Sequence, residues 1–321
     1  MPTILPDPRQ FPRFAGVATF CRYPLLDRVA PEHRPVDWAI YGVPFDGGVT
    51  FRPGARFGPR AVRDASQYVK RYSIEHGLDL CDALSLADAG DAPVQAYSCR
   101  GTAEAATAFA RGLGEPSHTR LFAVGGDHSI AYANVRATWE RRGSPKGGLA
   151  LVHFDAHFDT VDQVWGERWG HASPFIRAIE EGVIDPKRMI SIGIRGPLNT
   201  HEDAGFAPKH GVRIVTCEEW RRNGNGVLED FVAELGGAEA YLSFDVDCVD
   251  PAFAPGTGTH AIGGLASHEA LGAIRSLRGL NVVGADVVEV LPDRDVAEIT
   301  ALLAATVIFE VLCLDAVRRR K

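Results

Sequence analysis

The absences in this chain narrow its class first. Six cysteines, at positions 21, 81, 99, 217, 248 and 313, include no C-x-x-C pair. Neither a disulfide frame nor a sulfur-ligated zinc site is therefore expected, and reduced thiols in a cytoplasmic protein are. No uninterrupted apolar run approaches the ~18 residues of a membrane span. The N-terminal stretch, broken by Pro2, Pro6, Pro8 and Pro12, has no apolar segment of the kind a secretory signal carries. No long basic block appears, and a formal net charge of −7 argues against nucleic acid as a partner. The terminal Arg318–Lys321 reads as a solvated tail. No G-x-G-x-x-G joins the first strand to a helix, which disfavours a dinucleotide fold. Repeats, low-complexity tracts and linkers are also missing. The expected organisation is one domain over 1–321, with 1–35 as an extended N-terminal segment.

What is present is an ordinary globular composition: 321 residues, 45% apolar and 23% charged. Apolar, β-branched runs predict strands at 38–43, 83–87, 120–124, 149–154, 189–194, 212–215, 240–244 and 282–287. Helical patterns lie at 59–71, 99–113, 130–142, 174–181, 228–236, 267–277 and 299–314. The strand runs are near-continuous rather than alternating, as strands covered on both faces are. The fold class is therefore α/β, a three-layer sandwich around a mainly parallel eight-stranded sheet.

Three strings follow such strands: G-G-D-H-S at 125–129, D-A-H-F-D at 155–159 and S-F-D-V-D at 243–247. In parallel sheets the crevice beyond the carboxyl ends of the strands is where ligands bind. The strings supply His128, Asp155, His157, Asp159, Asp245 and Asp247. Four carboxylates balance the charge of two dications, and neutral imidazoles leave that balance untouched; oxygen donors with imidazole suit Mn2+-like ions. Spacing by two would turn Asp155, His157 and Asp159 to one side of an extended backbone, and Asp245 with Asp247 likewise. Val246 and Cys248 would then face away. The twin glycines let backbone approach a buried centre beside His128, and Asp127 reads as a residue that orients a ligand. Asp250, ahead of Pro251, reads as a turn-initiating aspartate, with support of the neighbouring metal ligands as the alternative.

His171 lies past a long loop, 160–170, that carries Trp165 and Trp169. A histidine there suits proton transfer, its reference pKa being ~6.5. Glu289 ends an apolar run, where a carboxylate is costly unless paired. It could cap the following turn or receive a cation.

These residues resemble the ureohydrolase superfamily, the arginases, agmatinases and relatives that hydrolyse guanidino compounds to urea and an amine. The resemblance spans nearly the whole chain. It includes G-V-P-F-D-G-G at 42–48, R-P-G-A-R-F-G-P-R at 52–60, the three metal strings, D-P-A-F-A-P-G-T-G-T at 250–259 and D-V-V-E-V at 286–290. The string at 52–60 is similar to the agmatinase branch. The resemblance implies that His128, Asp155, Asp159 and Asp245 hold one metal and Asp155, His157, Asp245 and Asp247 the other. It implies manganese, or nickel as in some guanidine- and biguanide-hydrolysing relatives, and a homo-oligomer, a trimer or hexamer. It further implies that His171 shuttles protons, that Glu289 holds the guanidinium and that Asp159 orients the nucleophile.

The chain departs from the pattern at His260 and Ala261, where many relatives have P-E, and at Leu291–Asp295. The loop 160–170 lacks the polar pattern with which arginases grip an α-amino acid. The reading is a binuclear-metal amidinohydrolase acting on a guanidino compound of the agmatine, guanidinobutyrate or guanidinopropionate kind. Trp165 and Trp169 are expected to wall the pocket mouth, Trp169 as a substrate contact beside His171 and Glu289. His260, Arg168 and Arg294 tilt the expectation toward an anionic tail. The alternatives are a guanidine or biguanide hydrolase, a non-catalytic subunit of a hetero-oligomeric ureohydrolase, and a metal-dependent amide deacetylase.

Overall fold

A computed structural model describes residues 2–320. Strands β1 (Trp38–Val43), β4 (Leu86–Asp91), β5 (Arg120–Gly125), β6 (Leu149–Phe154), β7 (Ile184–Ile194), β8 (Arg213–Thr216), β9 (Glu239–Asp245) and β10 (Asn281–Val288) form one sheet; β2 (Tyr72–Ser73) and β3 (Leu78–Asp79) make a small antiparallel ribbon. The sheet order is β4-β1-β5-β10-β9-β6-β7-β8, and every pairing in it is parallel.

Alternate residues of the strands enter separate cores, because successive side chains leave a strand on opposite faces. Trp38, Ile40, Phe122, Val152 and Leu242 point into one core. That layer is closed by α1 (Gly58–Ser66), α2 (Leu80–Ala83), α7 (Cys217–Asn223), α8 (Gly226–Leu235), α9 (Ser267–Ser276) and α10 (Ile299–Arg319). Ala39, Tyr41, Leu121, Leu151 and Tyr241 point the other way, under α3 (Cys99–Arg111), α4 (Ile130–Arg141), α5 (Pro174–Glu180) and α6 (Phe206–Lys209). Burial on both faces is why β1 is apolar from end to end and β6 is broken only by His153. The expected three-layer sandwich is the fold observed.

Among the differences from the sequence reading, four stand out. The strand expected at 83–87 begins at Leu86, because Asp79 accepts the N–H groups of Cys81 and Asp82 and caps α2, which consumes Ala83. Helix α7 was not expected; it opens on a capping box in which Thr216 and Glu219 satisfy each other's backbone N–H groups. The segment 1–35 is folded into three short turns, at Phe20–Arg22, Leu26–Arg28 and Pro31–His33. Finally, α10 is long and apolar enough to cross a membrane by length and composition, with a mean hydropathy of 2.0, but 83% of that stretch is buried within the fold.

The middle of the sheet positions everything that follows. β5, β10, β9 and β6 are neighbours. His128 follows β5, Glu289 follows β10, Asp247 follows β9, where Asp245 is the last residue, and Asp155 follows β6.

Candidate active site

His128 is nearly fully buried in the turn before α4, and its backbone N–H donates to Glu289 Oε1 at 2.9 Å. Gly126 allows that turn to pack: a Cβ there would meet the carbonyl oxygens of Phe45 at 2.1 Å and Val43 at 2.6 Å. The imidazole Nδ1 then lies 2.7 Å from Asp159, 3.0 Å from Asp155 and 3.3 Å from Asp245. On the other side, His157 Nδ1 lies 3.0 Å from Asp247 and 3.3 Å from Asp155. All six side chains singled out by the three strings thus converge, with Asp155 between the two imidazoles.

Local geometry achieves this differently from a continued strand. β6 ends at Phe154, and Asp159 has a left-handed φ of 50°. Asp159 therefore swings back to His128 while His157 reaches Asp247. After Asp245 the chain enters a one-turn 3-10 helix, with the Asp247 N–H donating to Asp245 Oδ1 at 2.8 Å. Val246 and Cys248 turn into the apolar core, as expected. Asp250 accepts the N–H groups of Ala252, Gly263 and Gly264, the work of a turn residue. Asp127 accepts from Gly48 and Ser129 and touches none of the six. It holds the 46–50 loop rather than a ligand.

One neighbour was missed. His153 precedes Asp155 by two residues, bonds its Oδ2 at 2.9 Å, and reaches Ser191 at 3.1 Å through its other ring nitrogen. The same alternation that selected Asp155 and His157 would have found it.

The donor set fits divalent cations. His128 Nδ1 is a buried nitrogen without a hydrogen-bond partner, set among carboxylate oxygens. Without a cation, protons must relieve that crowding. Burial and then the neighbouring Asp247 and Asp155 push Asp245 well above the usual carboxylate range; burial and Asp155 raise Asp159. Burial would lower His128 and His157, but Asp159 and Asp247 respectively hold each imidazole well above its ordinary value. Asp155 goes the other way, because the imidazoles of His128, His153 and His157 packed around it outweigh its burial. Such a cluster exchanges protons for metal.

A cavity of about 740 Å3 opens above the cluster, lined by Asp159, Asp245, His157, His171, Thr50 and Trp165 and, toward its mouth, Gln163, Leu198, Asn199 and Asp203. His171 Nδ1 pairs with Glu289 Oε1 at 2.9 Å, and its Nε2 accepts the Thr50 N–H at 3.0 Å. Burial works to lower this imidazole, yet the Glu289 carboxylate holds it up to about 9. Glu289 is buried at a left-handed φ of 65°. Trp169 does not wall the cavity. Its ring meets Tyr132 edge-on at 4.9 Å beneath Arg100, so only Trp165 of the two tryptophans faces the opening. Arg168 pairs with Asp162 at 2.9 Å, His260 bonds the Pro255 carbonyl at 2.6 Å and Arg294 is exposed. None of the three lines the cavity.

A family model described as the arginase family matches residues 36–314. Guanidinopropionase of Pseudomonas aeruginosa is 42% identical over 96% of this chain and 94% of its own. The structure of proclavaminate amidinohydrolase from Streptomyces clavuligerus superposes with a TM-score of 0.88 at 40% identity, covering 96% of this chain and all of that one. A structure described as a hypothetical agmatinase from Burkholderia thailandensis gives 0.84 at 38% identity, covering 96% and 94%. Sequence and architecture agree along nearly the entire length, and the chain belongs to the arginase family of ureohydrolases.

Proposed function

We propose that this protein hydrolyses a linear guanidino compound lacking the α-amino-acid head of arginine, releasing urea and an amine. The observation that supports it is the convergence of four carboxylates and two imidazoles at the floor of a cavity whose wall carries His171, itself paired with the buried Glu289. His128, Asp155, Asp159 and Asp245 would hold one divalent ion and Asp155, His157, Asp245 and Asp247 the other; their oxygen-rich set suits manganese, with nickel second. Bound there, two such ions would acidify a water from a pKa of ~15.7 toward ~7 and so supply a nucleophile at neutral pH.

The chain's own residues do the rest. Glu289 Oε1 is taken by His128 and His171, while Oε2 has no hydrogen-bond partner among the described residues and offers charge to a guanidinium. Asp159 faces the cavity and would accept a hydrogen bond from the attacking water, so fixing its direction of approach. His171 keeps its Nδ1 proton on Glu289 and moves protons at Nε2, where Thr50 Oγ1 lies at 2.8 Å. It delivers one to the departing nitrogen as the carbon–nitrogen bond breaks.

For the tail, the relative named guanidinopropionase supports a guanidino acid, with the neutral side chains Gln163 and Asn199 at the mouth to receive a carboxylate. An aminoalkyl tail is the second reading, favoured by Asp203 at the same mouth and by the neighbour described as an agmatinase. A homo-oligomer in the cytoplasm completes the proposal; strongly exposed Phe14, Val17 and Phe51 support the association. Urea release measured over guanidinopropionate, guanidinobutyrate, agmatine, guanidine, a biguanide and arginine tests the reading. The first two should lead, with neighbouring chain lengths within the ~10–200-fold that a methylene is worth. Arginine as best substrate would overturn it.

A further inference from the structure

We infer that Asp286, acting through Ser243, fixes the tautomer of His128 and thereby sets the affinity of one of the two metal positions. The inference rests on reading His128 as a ligand. A chain of buried groups runs inward from that imidazole. His128 Nε2 lies 2.8 Å from Ser243 Oγ, Ser243 donates to Asp286 Oδ1 at 2.7 Å, and Tyr241 donates to Asp286 Oδ2 at 2.5 Å. Asn134 then donates to the Tyr241 oxygen at 2.6 Å and to the Ala285 carbonyl at 2.8 Å, while Tyr41 donates to Asn134 Oδ1 at 2.8 Å. Asp286, Ser243, Asn134, Tyr41 and Tyr241 are all fully buried, so water cannot substitute for any link.

Only one direction of donation satisfies this chain. Asn134 has both amide hydrogens committed, one to a backbone carbonyl that can only accept, so the Tyr241 hydroxyl must point at Asp286. A carboxylate accepts from two hydroxyls at once. Burial pushes the Asp286 carboxyl upward, and the nearby His128 imidazole, then the Tyr241 and Ser243 donors, oppose that shift. With its hydrogen spent on Asp286, Ser243 presents only lone pairs to His128, and Nε2 must carry the proton. The Nδ1 lone pair is then delivered to Asp155, Asp159 and Asp245, where a cation is wanted. The neutral imidazole bound to a metal is ordinarily oriented through its second nitrogen in this way. Here the orienting carboxylate is one hydroxyl removed, on strand β10 beside β9, so the strand pairing itself carries the alignment.

Replacement of the carboxylate should reverse the arrangement. An amide at 286 cannot accept from both hydroxyls. With its NH2 toward Ser243, the serine hydrogen turns to His128 Nε2 and the imidazole proton moves to Nδ1, where it blocks a metal. Metal-stripped protein titrated with Mn2+ alone and read by electron paramagnetic resonance and equilibrium dialysis tests this. Wild type and Ser243→Thr should bind two ions and give an exchange-coupled spectrum. Asp286→Asn and Ser243→Ala should keep one ion, lose the coupled signal and bind the second ~10–100-fold more weakly. Folded Ser243→Ala and Asp286→Asn, checked by circular dichroism, that bind both ions with wild-type affinity would overturn the inference. Should Asp286→Asn not fold, the Ala and Thr variants at 243 decide between the same two outcomes. Fewer than two ions in the wild type would instead refute the ligand reading beneath it.

Discussion

At His171 the fold sets a titration that can be measured directly. The imidazole is held up to about 9 by Glu289 against the opposing effect of burial. Because its folded value exceeds the ~6.5 of an unfolded histidine, the pairing contributes stability in full below ~6.5 and loses it as pH rises through about 9. In metal-free protein the His171 ring resonances should therefore titrate near 9, and Glu289→Gln should bring the midpoint down. An unmoved midpoint would remove Glu289 as the cause. Asp245 and Asp250 separate two kinds of aspartate within one string. Asp245→Asn takes charge from beside His128, so metal content and turnover should both collapse. Asp250→Asn weakens acceptance of three backbone N–H bonds, a loss of ~1–2 kcal/mol of stability with metal content kept. Equal losses of metal would refute the distinction. The positions of the six clustered side chains were legible because carboxylates and imidazoles at strand ends are too costly to be there without a purpose. Trp169 was misplaced because an aromatic side chain beside a site reads the same whether it faces the cavity or Tyr132.

Between elements, Arg195 ties the end of β7 to the loops that carry and flank Asp247. Its guanidinium donates to the carbonyls of Asp247 at 2.7 Å, Ala261 at 2.7 Å, Gly193 at 3.0 Å and Cys248 at 3.1 Å. A lysine cannot reproduce that fork. Arg195→Lys should lower the urea-denaturation stability by ~2–3 kcal/mol, the scale of hydrogen bonds to a charged donor. It should also loosen metal binding at the His157 side, since Asp247 rides on the clamped turn. An unchanged midpoint would show the carbonyls to be satisfied without it. The central strands were legible because burial on both faces leaves an unbroken apolar run. The start of β4 was not, because Asp79 caps a helical turn four residues long inside the same apolar stretch, and α7 was not, because its seven residues are too short for a clear period. The 155–159 and 245–247 strings were read as extended, yet both bend; the side chains meet through turns that spacing alone does not encode.

For the whole molecule, the account depends on charge. Burying Asp155, Asp159, Asp245 and Asp247 together is tolerable only if positive charge enters with them, as protons in the metal-free protein or as the two dications proposed for the active one. The parallel sheet makes this arrangement available by ending four neighbouring strands at one rim, where the surrounding helices cannot cover it. Elemental analysis of protein reconstituted with manganese or nickel, paired with urea release before and after chelation, tests this most directly. Close to two divalent ions per chain, with urea release abolished by the chelator and restored by the metal, is the predicted result; a single zinc per chain, or urea release that survives complete removal of metal, would contradict it.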